Sequence, residues 1–236
     1  MIRAALLWLC LATGADAACR QALALGLDVS GSVDRREYRL QMDGLAGALD
    51  APEVRAALLE GAAAPVRITV FEWSGPRDHV LILPWSEISD AAALDGVIAH
   101  LRATERRRTE PTTAIGAATR YGGALLAQQP ECWQRTLDLS GDGKSNTGPR
   151  PQDIDAAELP PGMVVNGLVI GAPPEEAVAR RLIEIGELVA YYDAYVIRGP
   201  GAFVEAALGF EDYQAAMTRK LLREIRSLAI GALPRP

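Results

Sequence analysis

Residues 25–32, Leu-Gly-Leu-Asp-Val-Ser-Gly-Ser, constrain this chain more than any other stretch. The apolar run over residues 22–29 reads as a buried strand that stops abruptly in a polar loop. The loop offers a carboxylate, Asp28, and two hydroxyls, Ser30 and Ser32, at alternate positions, with Gly31 giving the backbone freedom to turn between the serines. A helix then begins at about Val33. Oxygens spaced in this way can converge on one point, and hard divalent cations such as Mg²⁺ take oxygen ligands in near-octahedral array. The plainer alternative is that Ser30 or Ser32 caps the helix.

What precedes that strand reads as an address. Arg3 is a minimal positive region, residues 4–11 form an apolar run too short to span a bilayer, and Ala15-Asp16-Ala17 has the small-x-small form of a cleavage site. Residues 1–17 are therefore expected to be a signal peptide and residues 18–236 one domain, exported to the periplasm or secreted. Asp16 argues against lipidation at Cys19, and no later segment has the apolar length of a transmembrane anchor. Export removes Cys10 and leaves Cys19 and Cys132, an even pair in an oxidising compartment. With only His79 and His100 beside them, the cysteines have no zinc-site spacing. The net charge of −6, with Lys144 and Lys220 the only lysines, speaks against a nucleic-acid surface.

Along the mature chain, strand and helix patterns alternate. Residues 33–50 are helical in period, through Tyr38, Met42, Leu45 and Leu49, and residues 53–60 resume that pattern after Pro52. Residues 66–73 are β-branched and aromatic, and a turn at Ser74-Gly75-Pro76 leads to an antiparallel strand over 79–83. Ser89 is placed to cap a helix with a Leu94, Val97, Ile98, Leu101 stripe. Residues 105–112, holding Arg106, Arg107 and Arg108, read as a solvated loop, and 113–127 as a helix of small residues. A strand over 133–139 runs into Ser140-Gly-Asp-Gly-Lys-Ser-Asn146. Then follow a short helix over 152–158, a strand over 163–170, a helix opening near Pro174, a last strand within 191–197, and a helix from Phe210 to Leu228. The expectation is an α/β fold: a Rossmann-like doubly wound, mostly parallel sheet with one antiparallel edge strand and helices on both faces. Ligands of such sheets sit outside the carboxyl ends of the strands, where the Asp28 loop must lie.

Two more segments bring oxygen to that edge. Asp142 stands between glycines after its strand, and Thr112 and Thr113 precede the helix at Ala114-Ile-Gly-Ala-Ala118. Other chemistries fail on spacing. Gly143-Lys144-Ser145 ends like a phosphate loop, but the glycine required five residues earlier is Asp138. Neither Ser30 nor Ser140 has the flanking glycines of a serine hydrolase. His79 and the tryptophans Trp73, Trp85 and Trp133 read as packing or rim residues.

Asp28-x-Ser30-x-Ser32, a threonine at a helix start, and Gly-Asp-Gly after a strand together resemble the von Willebrand factor A-like domain with its metal-ion-dependent adhesion site. More narrowly, Ser140-Gly-Asp-Gly with Ala202-Phe-Val in an exported single-domain layout resembles a bacterial secreted group whose function is not established. The resemblance implies Asp28, Ser30, Ser32, Thr113 and Asp142 as ligands of Mg²⁺ or Mn²⁺, in preference to Ca²⁺. It favours Thr113 over Thr112 because Thr113-Ala-Ile-Gly116 looks like the family's helix entry. It implies a metal-dependent binding protein, a monomer without chemical turnover, whose partner is another protein or exported ligand offering a carboxylate. The competing readings are a metal-assisted hydrolase, for which no general base is evident, and a metal that only braces three loops. The family's sheet order sets the strands carrying the two aspartates side by side, which implies a disulfide between Cys19 and Cys132 at the opposite rim.

Overall fold

The computed structural model describes residues 19–61, 63–172 and 178–231, the side chains of 178 and 227–231 excepted. The expected signal peptide, the expected helix opening at Pro174 and the Leu228 side chain lie outside the described residues. Six strands, β1 (Gln21–Asp28), β2 (Val66–Trp73), β3 (His79–Ile88), β4 (Gln134–Gly141), β5 (Val164–Ile170) and β6 (Val204–Ala207), form a sheet in the order β3-β2-β1-β4-β5-β6. All neighbours are parallel except the β2–β3 hairpin, which makes β3 an antiparallel edge.

β1 is buried along its whole length, as a central strand covered on both faces must be. Its side chains alternate between two cores. Leu23, Leu25 and Leu27 face the helices α1 (Arg35–Asp50), α2 (Pro52–Leu59), α3 (Ala91–Ala103) and α6 (Tyr213–Gly231). Ala22 and Ala24 face α4 (Ile115–Leu126) and α5 (Val178–Tyr195). Small residues on that side let α4 lie close against the sheet, as its own Gly122 does over Leu137.

Three expectations are corrected. Residues 191–195 belong to α5, not to a strand: Ile185, Leu188 and Tyr192 recur at helical spacing and bury one face. The last strand is the short β6. Asp90 rather than Ser89 caps α3, accepting from the Ala93 amide at 2.8 Å, and residues 151–158 form two 3₁₀ turns instead of one helix.

β1 leaves toward β2 on one side and is met by β4 on the other, so the strand order reverses between β1 and β4. In their register Leu27 pairs with Ser140, which sets Asp28 and Asp142 at the same carboxyl edge. At the other end the Trp133 amide donates to the Cys19 carbonyl at 2.9 Å, and Cys19 is disulfide-bonded to Cys132 with Cα atoms 4.4 Å apart. No helix among the described residues is long and apolar enough to cross a membrane.

The disulfide closes a loop between positions 113 residues apart. In the chain-entropy model so long a loop is worth about 4.8 kcal/mol, and typical measured values run about 2–4. Cys132→Ala is expected to lose stability in that range in urea unfolding, and a non-reduced digest of the protein is expected to yield the two cysteine peptides as one linked species.

Candidate metal centre

Asp28 ends β1 with no exposed surface. Its carbonyl accepts from Gln41 Nε2 at 3.0 Å, and its Oδ1 accepts from the Ser30 amide at 2.8 Å, closing the turn. Ser30 is buried and Ser32 exposed, with their hydroxyls 3.3 Å apart, and Ser32 Oγ donates to Asp142 Oδ1 at 2.8 Å. Neither serine side chain caps α1. Asp34 does, in a capping box with Glu37, so both hydroxyls are available for other work. Gly31 does not take a left-handed conformation. A side chain there would stand 3.0 Å from the Pro111 carbonyl, which accepts the Gly31 amide at 3.1 Å. The glycine is required by close approach of the second loop rather than by a turn.

That second loop carries Thr113. Its amide donates to Asn146 Oδ1 at 2.9 Å, the Asn146 amide returns a bond to its carbonyl at 2.9 Å, and the Ala114 amide donates to Ser74 at 2.8 Å. A Cβ at Gly143 would lie 4.0 Å from Thr113 Oγ1, so the threonine hydroxyl faces the Asp142 loop. Thr112 Oγ1 is buried without a partner. Gly116 is where the Pro149 carbonyl meets α4, and any side chain would collide with it. The structure thus gathers Asp28, Ser30, Ser32 and Asp142 through a chain of short contacts and sets Thr113 beside them across Gly143.

The residue pattern carries no sign of Gln41 or Asn146, which hold the loops. It also placed the arginine cluster in solvent, whereas Arg107 bridges buried Glu72 at 2.9 Å and Asp78 at 2.6 Å, and Tyr38 donates to Glu72 at 2.6 Å. The loop of residues 105–112 is pinned from below. Thr109 adds a second hold, its hydroxyl donating to the Val29 carbonyl at 2.8 Å.

The donor set is two carboxylates and neutral hydroxyls, all hard oxygen. Among the described residues no three His, Cys, Asp or Glu side chains cluster as a metal site, so any cation here depends on the hydroxyls. Burial, and then the nearby Asp142 charge, push the Asp28 carboxyl up to about 8, against the Ser30 bonds that lower it. Burial likewise raises Asp142, against the Ser32 bond. Asp28 Oδ2 is buried without a hydrogen-bond partner. Two desolvated carboxylates that repel one another, one with an orphaned oxygen, fit a divalent cation. A half-open cleft of about 380 Å³ adjoins them, lined by Ser32, Asp142, Lys144, Ile170, Ile185 and Phe210.

Glu37, Glu184 and Glu187 also line the cleft; Glu37 accepts from the Asp34 amide at 2.8 Å, and Glu184 lies 3.9 Å from Arg180. Asp138 is tied to buried Lys220 at 2.9 Å, and Lys220 to Glu224 at 2.5 Å. Lys144 reaches Glu187 at 3.5 Å, and His79 stacks on Tyr121.

The fold is that of von Willebrand factor A-type proteins. It is similar to proximal thread matrix protein 1 of the mussel byssus, in a structure with a zinc-occupied metal-ion-dependent adhesion site motif (TM-score 0.57, 17% identity, covering 91% of this chain and 49% of that one). It is also similar to a von Willebrand factor type A protein of Catenulispora acidiphila (0.56, 14%, 88% and 43%) and to an aerotolerance-related membrane protein of Bacteroides fragilis (0.54, 16%, 87% and 98%). The chain thus spans about half the length of the mussel protein. The chain belongs to the family described as protein of unknown function DUF1194, whose model matches residues 18–229. No curated protein matches it.

The buried charges under the site give a test of its scaffold. Burial alone would lower the Lys220 pKa, but Asp138 and Glu224 more than offset it, so the ammonium stays charged. Burial holds Asp138 up at about 7 despite Lys220. A carboxyl raised in the folded state favours folding fully below its unfolded pKa, and that contribution is lost as pH rises through about 7. Lys220→Met leaves two buried carboxylates uncompensated and is expected to cost about 3–5 kcal/mol near pH 8. The loss should shrink as pH falls below about 7, where the Asp138 carboxyl takes up a proton, as read by urea unfolding across pH.

Proposed function

We infer that this is an exported, metal-dependent binding protein, processed after Ala17, whose single domain engages an acidic group of a partner. Asp28, Ser30, Ser32, Thr113 and Asp142 hold the cation, Mg²⁺ or Mn²⁺ by the hardness of an all-oxygen set. The observation that carries the reading is the Asp28 side chain: fully buried, one oxygen bonded to Ser30, the other orphaned beside a second carboxylate. Support comes from the fold shared with proteins that include one with a zinc-occupied adhesion-site motif.

The cation supplies a positive centre on which a carboxylate can bind. This chain's residues do the rest. Ser30 fixes the Asp28 rotamer, Ser32 and Asp142 join two loops at the cleft, and Pro111 and Asn146 set the height of Thr113. Two carboxylates balance the divalent charge formally, but the three neutral hydroxyls donate weakly and leave the cation electrophilic toward an anionic oxygen of a partner. With Asp138 locked to Lys220, binding is a better reading than turnover.

Calorimetric titration with Mn²⁺ and Mg²⁺ tests the site. Asp28→Ala is expected to abolish binding while the protein stays folded, and Ser30→Ala and Thr113→Ala to weaken it less, since each removes a neutral ligand. Unchanged affinity in Asp28→Ala sinks the assignment. Capture of a partner from periplasmic extract that is lost with chelator separates a binding role from a bracing one.

A further inference from the structure

A second cavity of about 370 Å³ lies at the opposite, amino-terminal edge of the sheet, between α6 and the starts of β4 and β5. Its size falls in the range of small-ligand sites. Trp133, Gln134, Asn166, Phe203, Arg223 and Glu224 line it. Trp133, read from sequence as a packing or rim aromatic, is 63% exposed and lines the opening.

The floor is built and rigid. Asn166 is buried with both ends of its amide committed, Nδ2 to Glu224 at 2.6 Å and Oδ1 to the Phe203 amide at 3.1 Å. Lys220 Nζ lies 5.0 Å from the Phe203 ring centre and Arg223 Cζ 3.8 Å from it, so the ring is clamped by cations. The charges cancel: Lys220 and Arg223 against Asp138 and Glu224. An ion of either sign gains little here. What remains open at the mouth is polar and planar. The Arg223 guanidinium has no ion pair among the described residues, the Gln134 amide gives only its Nε2, to Thr136 at 3.2 Å, and the Trp133 N–H can only donate.

We propose that this cavity binds a neutral saccharide, one pyranose face stacked on Trp133 and its hydroxyls bonded to Gln134 and Arg223. A sugar ring has an apolar C–H face and a rim of groups that both donate and accept. That chemistry matches an exposed indole beside an unfilled acceptor and unfilled donors, in a pocket without net charge.

The test is saturation-transfer NMR on the mature protein with glucose, N-acetylglucosamine, cellobiose and maltose at millimolar concentration. At least one sugar is expected to receive transfer and to compete with the others. Trp133→Ala should weaken it about tenfold or more, the scale of one stacking contact, and Trp133→Phe should retain it. Arg223→Ala should also weaken it, and chelator should leave it unchanged. No transfer to any of the four sugars, transfer that persists in Trp133→Ala, or transfer only to a polyproline peptide overturns the assignment. Because Trp133 is exposed, its variants keep the fold, which the circular dichroism of each confirms before titration.

Discussion

The pairing of β1 with β4 is the constraint on which the rest depends. These two parallel strands lie at the reversal of strand order, where α1 after β1 and the 3₁₀ turns after β4 leave on opposite faces of the sheet and open a crevice. Their register fixes Asp28 level with Gly141 and so brings Asp142 to the Ser32 hydroxyl. A shift by one residue would turn Asp28 to the other face and break up both cores at once. The site is therefore a property of the sheet, and the loops only finish it. Pro111, Asn146 and Arg107 then hold those loops to backbone and to buried carboxylates, so that the oxygens are placed before anything binds.

Much of this was legible in the residues. β1 is so apolar, and stops so sharply at Asp28, that only a central strand of a covered parallel sheet fits it. The turn at residues 74–76, followed at once by a second short strand, marked the antiparallel edge. The misreadings have physical causes. Tyr191, Tyr192 and Tyr195 with Val196 look like a strand by propensity, yet Tyr192 is buried one helical turn after Leu188, and tertiary packing overrides the local preference. The true last strand, with Glu205 in its middle, is too short to show an alternation.

At the site, the residue types were readable and their supports were not. Ser30 and Ser32 could have been caps, and only the structure shows Asp34 taking that place. Gly31 and Gly116 stand out in sequence as glycines, but the reasons for them, the carbonyls of Pro111 and Pro149, come from segments far along the chain. Gln41 lies on a helix where a polar residue ordinarily faces water. That it reaches back to the Asp28 carbonyl follows only from how α1 packs on β1. Long-range contacts of single polar groups carry no local pattern, and single-sequence reasoning has nothing to detect.

The covalent tie at the foot of β1 and β4 has a mechanical meaning. Parallel neighbours loaded along their length fail in shear, by sliding past each other and breaking their ladder bonds together. Here Cys19 is anchored to Cys132, so a pull on either strand passes through a covalent bond into the other, and the pair cannot slip. The end of the sheet that bears Asp28 and Asp142 therefore keeps its alignment under tension for as long as the disulfide is intact.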